Sequence, residues 1–372
     1  SAITPSTMQL NRLKWETTTE YNTGLDASFL KGKLRFTVDV YQKYIKDLLQ
    51  KKVKMPTSIG YGNGYEVSYM NSGKMTNKGW EFRVDAVPFE NRDWRVGFYF
   101  NIAHNENKIT EMPDNYTEEN YTFNNGEYAY RREEGRPMGS FYGYRYKGVC
   151  QNKDATYARD ADGNVMKDIS GNAIVMRNGT ATIAPGDALY EDINHDGVIN
   201  QYDIVYLGNS NPRFTGGAGV NVSYKQFKLS AIFYGRYGQD VVNSTRLNNE
   251  SMRGIDNQST AVLRRWRNEG DQTDIPRALY GEGYNTLGSD RFVEDASYLR
   301  LKSLSFNYRL PKKIIQRWGF SNIDVYVTGY NLFTWTKYTG QDPEVKTENT
   351  YARDSATTPA SIQLVAGFNL SF

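Results

Sequence analysis

One stretch is built to offer oxygen ligands to a hard cation: Asp192-Ile193-Asn194-His195-Asp196-Gly197-Val198-Ile199-Asn200-Gln201-Tyr202-Asp203. It follows the calcium-loop pattern D-x-[DN]-x-[DN]-G, with an acid at the twelfth position. Asp192, Asn194 and Asp196 would supply side-chain oxygens and Val198 its carbonyl, while Gly197 permits the sharp turn. Asp203 stands where a bidentate Glu is usual. The expected ion is Ca2+ or Mg2+, and its role would be to stiffen a long loop, not to catalyse. The competing reading is an Asx-rich turn whose carboxylates accept from their own backbone.

Other reactive constellations are thin. Only His104 and His195 exist, so no histidine-dependent triad or zinc spacing can be assembled. Cys150 is the single cysteine; it forms no internal disulfide and reads as a packed thiol. Gly216-Gly217-x-Gly219 is not followed by a helical pattern, so it is no nucleotide loop. Aromatics between the regular segments (Tyr61, Tyr65, Tyr116, Tyr121, Phe123, Tyr128, Tyr130, Phe141, Tyr142, Tyr144) could stack on sugar rings, with Tyr128, Tyr142 and Tyr144 the candidates for substrate contact. Packing of the loops on themselves explains them at least as well. The net charge is +3 and the basic residues are dispersed, which argues against nucleic acid. No enzyme and no organic cofactor is expected.

These residues sit among alternating segments. A hydrophobic share of 39% and a mean hydropathy of −0.68 read at first as a soluble protein. No run approaches the roughly 18 apolar residues of a membrane helix. That excludes helical membrane proteins but not β-barrels, whose strands show the bilayer only every second residue. In the last segment Ile362, Leu364, Ala366, Phe368, Leu370 and Phe372 share one face, opposite Gln363, Val365, Gly367, Asn369 and Ser371. The same period recurs in Leu34–Val40, Trp80–Ala86, Trp94–Ile102, Ala218–Val222, Leu229–Phe233 and Ile323–Val327. Near 297–310 the phase slips between Leu301 and Leu304, which predicts a β-bulge.

The pattern predicts nine crossing strands, at about 16–30, 32–47, 76–88, 92–107, 213–225, 226–240, 297–310, 321–335 and 360–372. Short connections fall at Lys31-Gly32, Phe89-Glu90-Asn91, Gln226 and 311–320. Long ones fall at 48–75, 108–212, 241–296 and 336–359, all at one end. Bacterial outer-membrane barrels have short periplasmic turns and long extracellular loops. On that orientation Phe372 ends in the periplasm, the Asp192–Asp203 loop is extracellular and Ser1 starts outside. An odd strand count with such a start is an incomplete barrel, whose open edges require an N-terminal remainder. The absence of an apolar leader at Ser1-Ala2-Ile3-Thr4-Pro5 leads to the same expectation. Trp15, Trp80, Trp94, Trp318 and Trp335 lie near strand ends, where an interfacial girdle belongs.

Several stretches resemble the SusC/RagA family of TonB-dependent outer-membrane transporters, typical of Bacteroidetes. They are Leu13-Lys14-Trp15-Glu16 to Asp26, Asn71-Ser72-Gly73-Lys74 to Glu81, Gly135-Arg136-Pro137-Met138-Gly139, Pro185-Gly186-Asp187 with Asp192 to Asn200, and Ser297-Tyr298-Leu299-Arg300-Leu301-Lys302 with Gly329-Tyr330-Asn331-Leu332-Phe333 and Asp342-Pro343-Glu344. The resemblance implies an all-β, transmembrane antiparallel barrel of 22 strands, of which this chain is the C-terminal portion. It implies a SusD-like surface lipoprotein as lid, energy from the TonB complex through the absent N-terminal part, and outer-membrane lipid around the wall. Phe372 resembles the aromatic C-terminal signal that assembly machinery reads. The expected function is import of an oligosaccharide or peptide. A calcium-stabilised adhesion protein without transport, or an iron-chelate receptor, are the alternatives.

Overall fold

The computed structural model describes residues 13–54, 66–71, 73–112, 127–129, 132–281, 284–345, 347–348 and 351–372. Nine strands pair antiparallel in strict chain order: β1 (Thr17–Phe29), β2 (Leu34–Lys46), β3 (Lys74–Glu90), β4 (Trp94–Glu111), β5 (Phe214–Tyr224), β6 (Phe227–Tyr237), β7 (Tyr298–Arg309), β8 (Asn322–Thr336) and β9 (Gln363–Ser371). All nine expected strands are present. β3 and β4 run longer than their periodicity indicated, because their ladder continues through Glu90↔Arg95 at one end and Lys74↔Glu111 at the other.

Register gives the sheet two chemically distinct faces. One cross-strand row reads Phe29, Leu34, Ala86, Phe98, Val220, Ala231, Leu304, Gly329, Leu364. All nine are apolar and all lie on one face. The row two residues along begins Ala27, Phe36, Val84, Phe100, Ala218, Phe233. A row on the opposite face reads Asp26, Thr37, Arg83, Asn101, Gly217, Tyr234, Arg300, Thr334. A one-residue slip of any strand would exchange these faces locally, so the alternation fixes the pairing. The phase slip in β7 is a bulge: Phe233 pairs with Leu301, Ile232 with Ser303, and Lys302 is passed over. Across from it, Asn331 of β8 takes a positive φ of 52°.

Short turns close one end. Asn91 Oδ1 accepts from the Asp93 and Trp94 amides at 2.9 and 2.8 Å and turns the chain from β3 into β4. Aromatics mark both ends. Trp94 lies 4.3 Å from Tyr224 at the short-turn end. Trp80, His104 and Phe214 cluster at the long-loop end, as do Phe233, Phe333 and Trp335. Phe372 is 90% exposed, with its ring 5.0 Å from Phe320.

The long connections carry the buried core. Within the 48–75 connection, which the alternation marks only as a long loop, Leu49–Lys54 pairs with Glu66–Asn71. Ser140–Gly143 pairs with Val205–Asn209, Tyr146–Val149 with Ala188–Tyr190, and Asp240–Asn243 lies between Val293–Asp295 and Tyr351–Asp354. Segments from three long connections are thereby knitted into one cap. Its clusters centre on Tyr142, Ala188, Ile199 and Leu287, on Phe141, Val242 and Phe292, and on Val241, Ala296 and Ala352.

Candidate functional site: the loop cap and the polar face

The Asp192–Asp203 loop is closed by its own backbone. Asp192 accepts from the Asp196 and Gly197 amides at 3.2 and 2.8 Å, Asn194 Oδ1 from the Asp196 amide at 3.2 Å, and Asp196 Oδ1 from the Val198 amide at 2.8 Å. Asp203 is fully buried; Oδ1 accepts from the Ile193 amide and Oδ2 from the Asn200 amide, both at 2.8 Å. Burial pushes its carboxyl above the usual carboxylate range against the pull of these amides. The Val198 carbonyl accepts from the Asn200 side-chain amide at 3.1 Å. His195 and Gly197 take positive φ of 56° and 81° to make the bend. Among the described residues, no group of three or more His, Cys, Asp or Glu side chains converges as a metal set. The donors expected from the sequence thus share one loop, with their oxygens aimed at amides.

The three tyrosines singled out for substrate contact are interior, which corrects that expectation. Tyr142 is fully buried and donates to Glu133 Oε2 at 2.9 Å. Tyr128 is 8% exposed, donates to the Ser289 carbonyl at 2.7 Å and meets Phe141 edge-on at 6.3 Å. Tyr144, 3% exposed, packs with Tyr190 at 5.8 Å. Desolvation raises the Tyr128 and Tyr144 hydroxyl pKa values above that of free tyrosine. Rings so enclosed have no face left for a sugar. Phe141 is buried too; Tyr61, Tyr65, Tyr116, Tyr121, Phe123 and Tyr130 lie outside the described residues.

Other motifs that carry the family resemblance converge. Asp187 accepts a fork from Arg277 at 2.7 and 3.1 Å and a third bond from Asn285 at 3.2 Å. Gly186 has φ +92°, and a Cβ there would run into Trp266. Arg300, 3% exposed, donates to Thr334 Oγ1, Glu344 and Asp342, and Lys302 reaches Glu344 at 2.7 Å. The segment 297–302 and the Asp342-Pro343-Glu344 turn are therefore two halves of one clamp. A second network, Arg246–Glu250–Arg291 with Glu294, was missed. Only the i,i+4 spacing of Arg246 and Glu250 hinted at it. Cys150 is buried, and desolvation pushes its thiol up to about 11.

On the polar face of the sheet, near the short turns, a concavity of about 940 Å³ is lined by Asp26, Arg35, Arg83, Asp85, Arg95 and Tyr99. Arg83 forks onto Asp85 at 2.7 and 2.8 Å, and Asp26 accepts from Thr37 Oγ1 at 2.7 Å. Such a surface suits water or a polar plug, whereas the opposite face suits hydrocarbon.

A model of the TonB dependent receptor-like β-barrel matches residues 2–332. TonB-dependent receptor P3 of Formosa agariphila is 32% identical over 91% of this chain and 32% of its own length. TonB-dependent receptor SusC of Bacteroides thetaiotaomicron is 27% identical over 97% of this chain and 32% of its own length. Among solved structures, that of the RagAB peptide transporter superposes with a TM-score of 0.72 at 27% identity, over 99% of this chain and 36% of that one. The chain thus spans about a third of the length of its relatives. They are receptors and transporters, not enzymes, in line with the sequence reading. The two-faced sheet, the order of its motifs and these likenesses agree: the chain belongs to the TonB-dependent receptor β-barrel family.

Proposed function

We propose that this chain supplies the C-terminal wall and much of the loop cap of an outer-membrane transporter for oligomeric nutrients. The observation that carries the reading is a nine-strand ladder with one apolar and one polar face and every long connection at one end. β1 and β9 each pair on one side only among the described residues. Unpaired strand edges are untenable in hydrocarbon, so the reading includes a barrel closed by further strands, 22 in all by the family resemblance, around a plug. The cap is then extracellular and Phe372 periplasmic. A SusD-like lipoprotein rests on the cap, and TonB energises the plug. Likeness to the RagAB peptide transporter supports peptide cargo; likeness to SusC keeps glycan cargo beside it. Calcium in the Asp192–Asp203 loop is supported by the ligand order alone, and binding would require Asn194 and Asp203 to turn away from their present partners.

Orientation is tested with single cysteines in intact cells. Ile169→Cys, at a fully exposed loop position, should react with a membrane-impermeant maleimide. Arg92→Cys, in the β3–β4 turn, should react only after permeabilisation. The opposite pattern would overturn the reading. Cargo is tested by mass spectrometry of oligomers released from the full-length complex purified with its partner. Peptides or glycans support import; an iron chelate would replace this reading with the receptor alternative.

A further inference from the structure

The apolar face is not smooth. Gly216 of β5 and Gly235 of β6 stand directly opposite each other and leave a gap in the side-chain layer. Phe214 and Tyr237, stacked at 6.4 Å, bound the gap on the long-loop side, and Ala218 with Phe233 bound it on the other. Ile102 and Leu299 flank it along the row, with Trp335 beyond Leu299. The hollow measures about 700 Å³. Its floor is fixed by close backbone approach, since a Cβ on Gly235 would stand 2.7 Å from the Tyr298 carbonyl and one on Gly216 would strike the Asn101 carbonyl. Lys337 stands at the mouth, two residues past Trp335; it is exposed and has no ion-pair partner among the described residues. Asp295 also lines the mouth, and its Oδ1 accepts from the amide and hydroxyl of Ser297.

We infer that this hollow holds one acyl chain of a phosphate-bearing lipid from the leaflet at the long-loop end, with the phosphate at Lys337. The inference rests on the apolar face being the lipid face. The hollow is continuous with that face on both sides, and it is concave, so a flexible chain fills it without the matching knob that a protein partner would need. In hydrocarbon the gain comes from packing, not from escape from water. The aromatic rim and a lysine just above it are the placement expected at headgroup depth.

The test is native mass spectrometry of the full-length protein with added phosphatidylglycerol or phosphatidylcholine of equal chain length. The wild type should retain one phosphatidylglycerol at energies that strip the rest. Ala218→Phe, which adds a ring at the boundary of the hollow, should lower that retained fraction about tenfold. Lys337→Gln, a surface change, should lower the preference for phosphatidylglycerol over phosphatidylcholine about fivefold while the barrel stays heat-modifiable. An unchanged preference in K337Q, or unchanged retention in a folded A218F, overturns the inference. Failure of the lipid-face reading looks different: a tryptophan at Val327, on the same face but away from the hollow, would go unquenched by brominated acyl chains.

Discussion

Val327 offers a test of the two-faced wall. It lies on β8, five residues from the short-turn end, 49% exposed, and pairs with Phe306 on one side and Ala366 on the other. A crossing strand needs about 9–11 residues, which puts Val327 near mid-depth. An arginine on the lipid face at that depth costs about 2–4 kcal/mol, a factor of about 30 to 700 in the folding equilibrium. Ser305 is the matched control. It pairs with the next residue of β8, Thr328, shares a 2.8 Å hydroxyl contact with it, and faces the polar side. Ser305→Arg should lose about 1 kcal/mol, the worth of that hydrogen bond. The assay is urea denaturation of the full-length protein in lipid vesicles, followed by the heat-modifiable band on gels. Val327→Arg should unfold at clearly lower urea than Ser305→Arg. Equal midpoints, or the reverse order, would refute the assignment of faces.

Four further outcomes follow from the cap. Arg300→Ala takes the cation from Asp342 and leaves Glu344 with Lys302 alone; discounting a buried-pair loss for the carboxylates' 17% and 28% exposure leaves about 2 kcal/mol, to be read as faster proteolysis within 337–362. The Asp342 carboxyl is raised by burial but pulled further down by the Ala360 and Glu344 amides and by Arg300, so its net pKa is lowered. Its contribution is therefore complete above the unfolded carboxylate value near 4 and vanishes as pH falls through the folded value, so the same cleavage should accelerate only on acidification below about pH 4. With its thiol pushed to about 11, Cys150 should resist iodoacetamide at pH 8 in the folded protein, where about one molecule in a thousand is thiolate, and react after denaturation; prompt labelling would contradict its burial. If the Asp192–Asp203 loop binds calcium, EGTA should expose it to protease; unchanged cleavage would leave the self-bonded turn as the whole account.

The wall was legible because two solvents act on it. Lipid on one side and water or plug on the other impose a strict two-residue alternation, and even the β7 bulge left a trace as a phase slip between Leu301 and Leu304. The cap was not legible. Tyr128 and Tyr142 sit among polar loop residues with no period around them, and the groups that enclose them come from distant segments: Ser289, Tyr351 and Tyr206. Loop aromatics look available until the fold supplies their neighbours. The Asp192–Asp203 motif was visible as a list of ligands, but nothing in that list says whether an oxygen turns toward an ion or toward an amide. Asp203 shows the difference, since its place beneath the Asn200 turn depends on burial that no spacing reveals.

The knitting of the cap has a consequence for fidelity of assembly. Ser210 Oγ receives the Ala352 amide across 142 residues, and the Tyr128 hydroxyl meets the Ser289 carbonyl across 161. Closing such spans costs chain entropy before any contact rewards it. Wall strands can add one after another, whereas these contacts need three separate connections in place together. A strand that slipped by one residue would carry its loop about 3.3 Å out of position, beyond the reach of a hydrogen bond. The cap thereby acts as a vernier on the wall: it locks only when every ladder beneath it is in register, and a misthreaded barrel is left with its loop cores open to quality-control proteases.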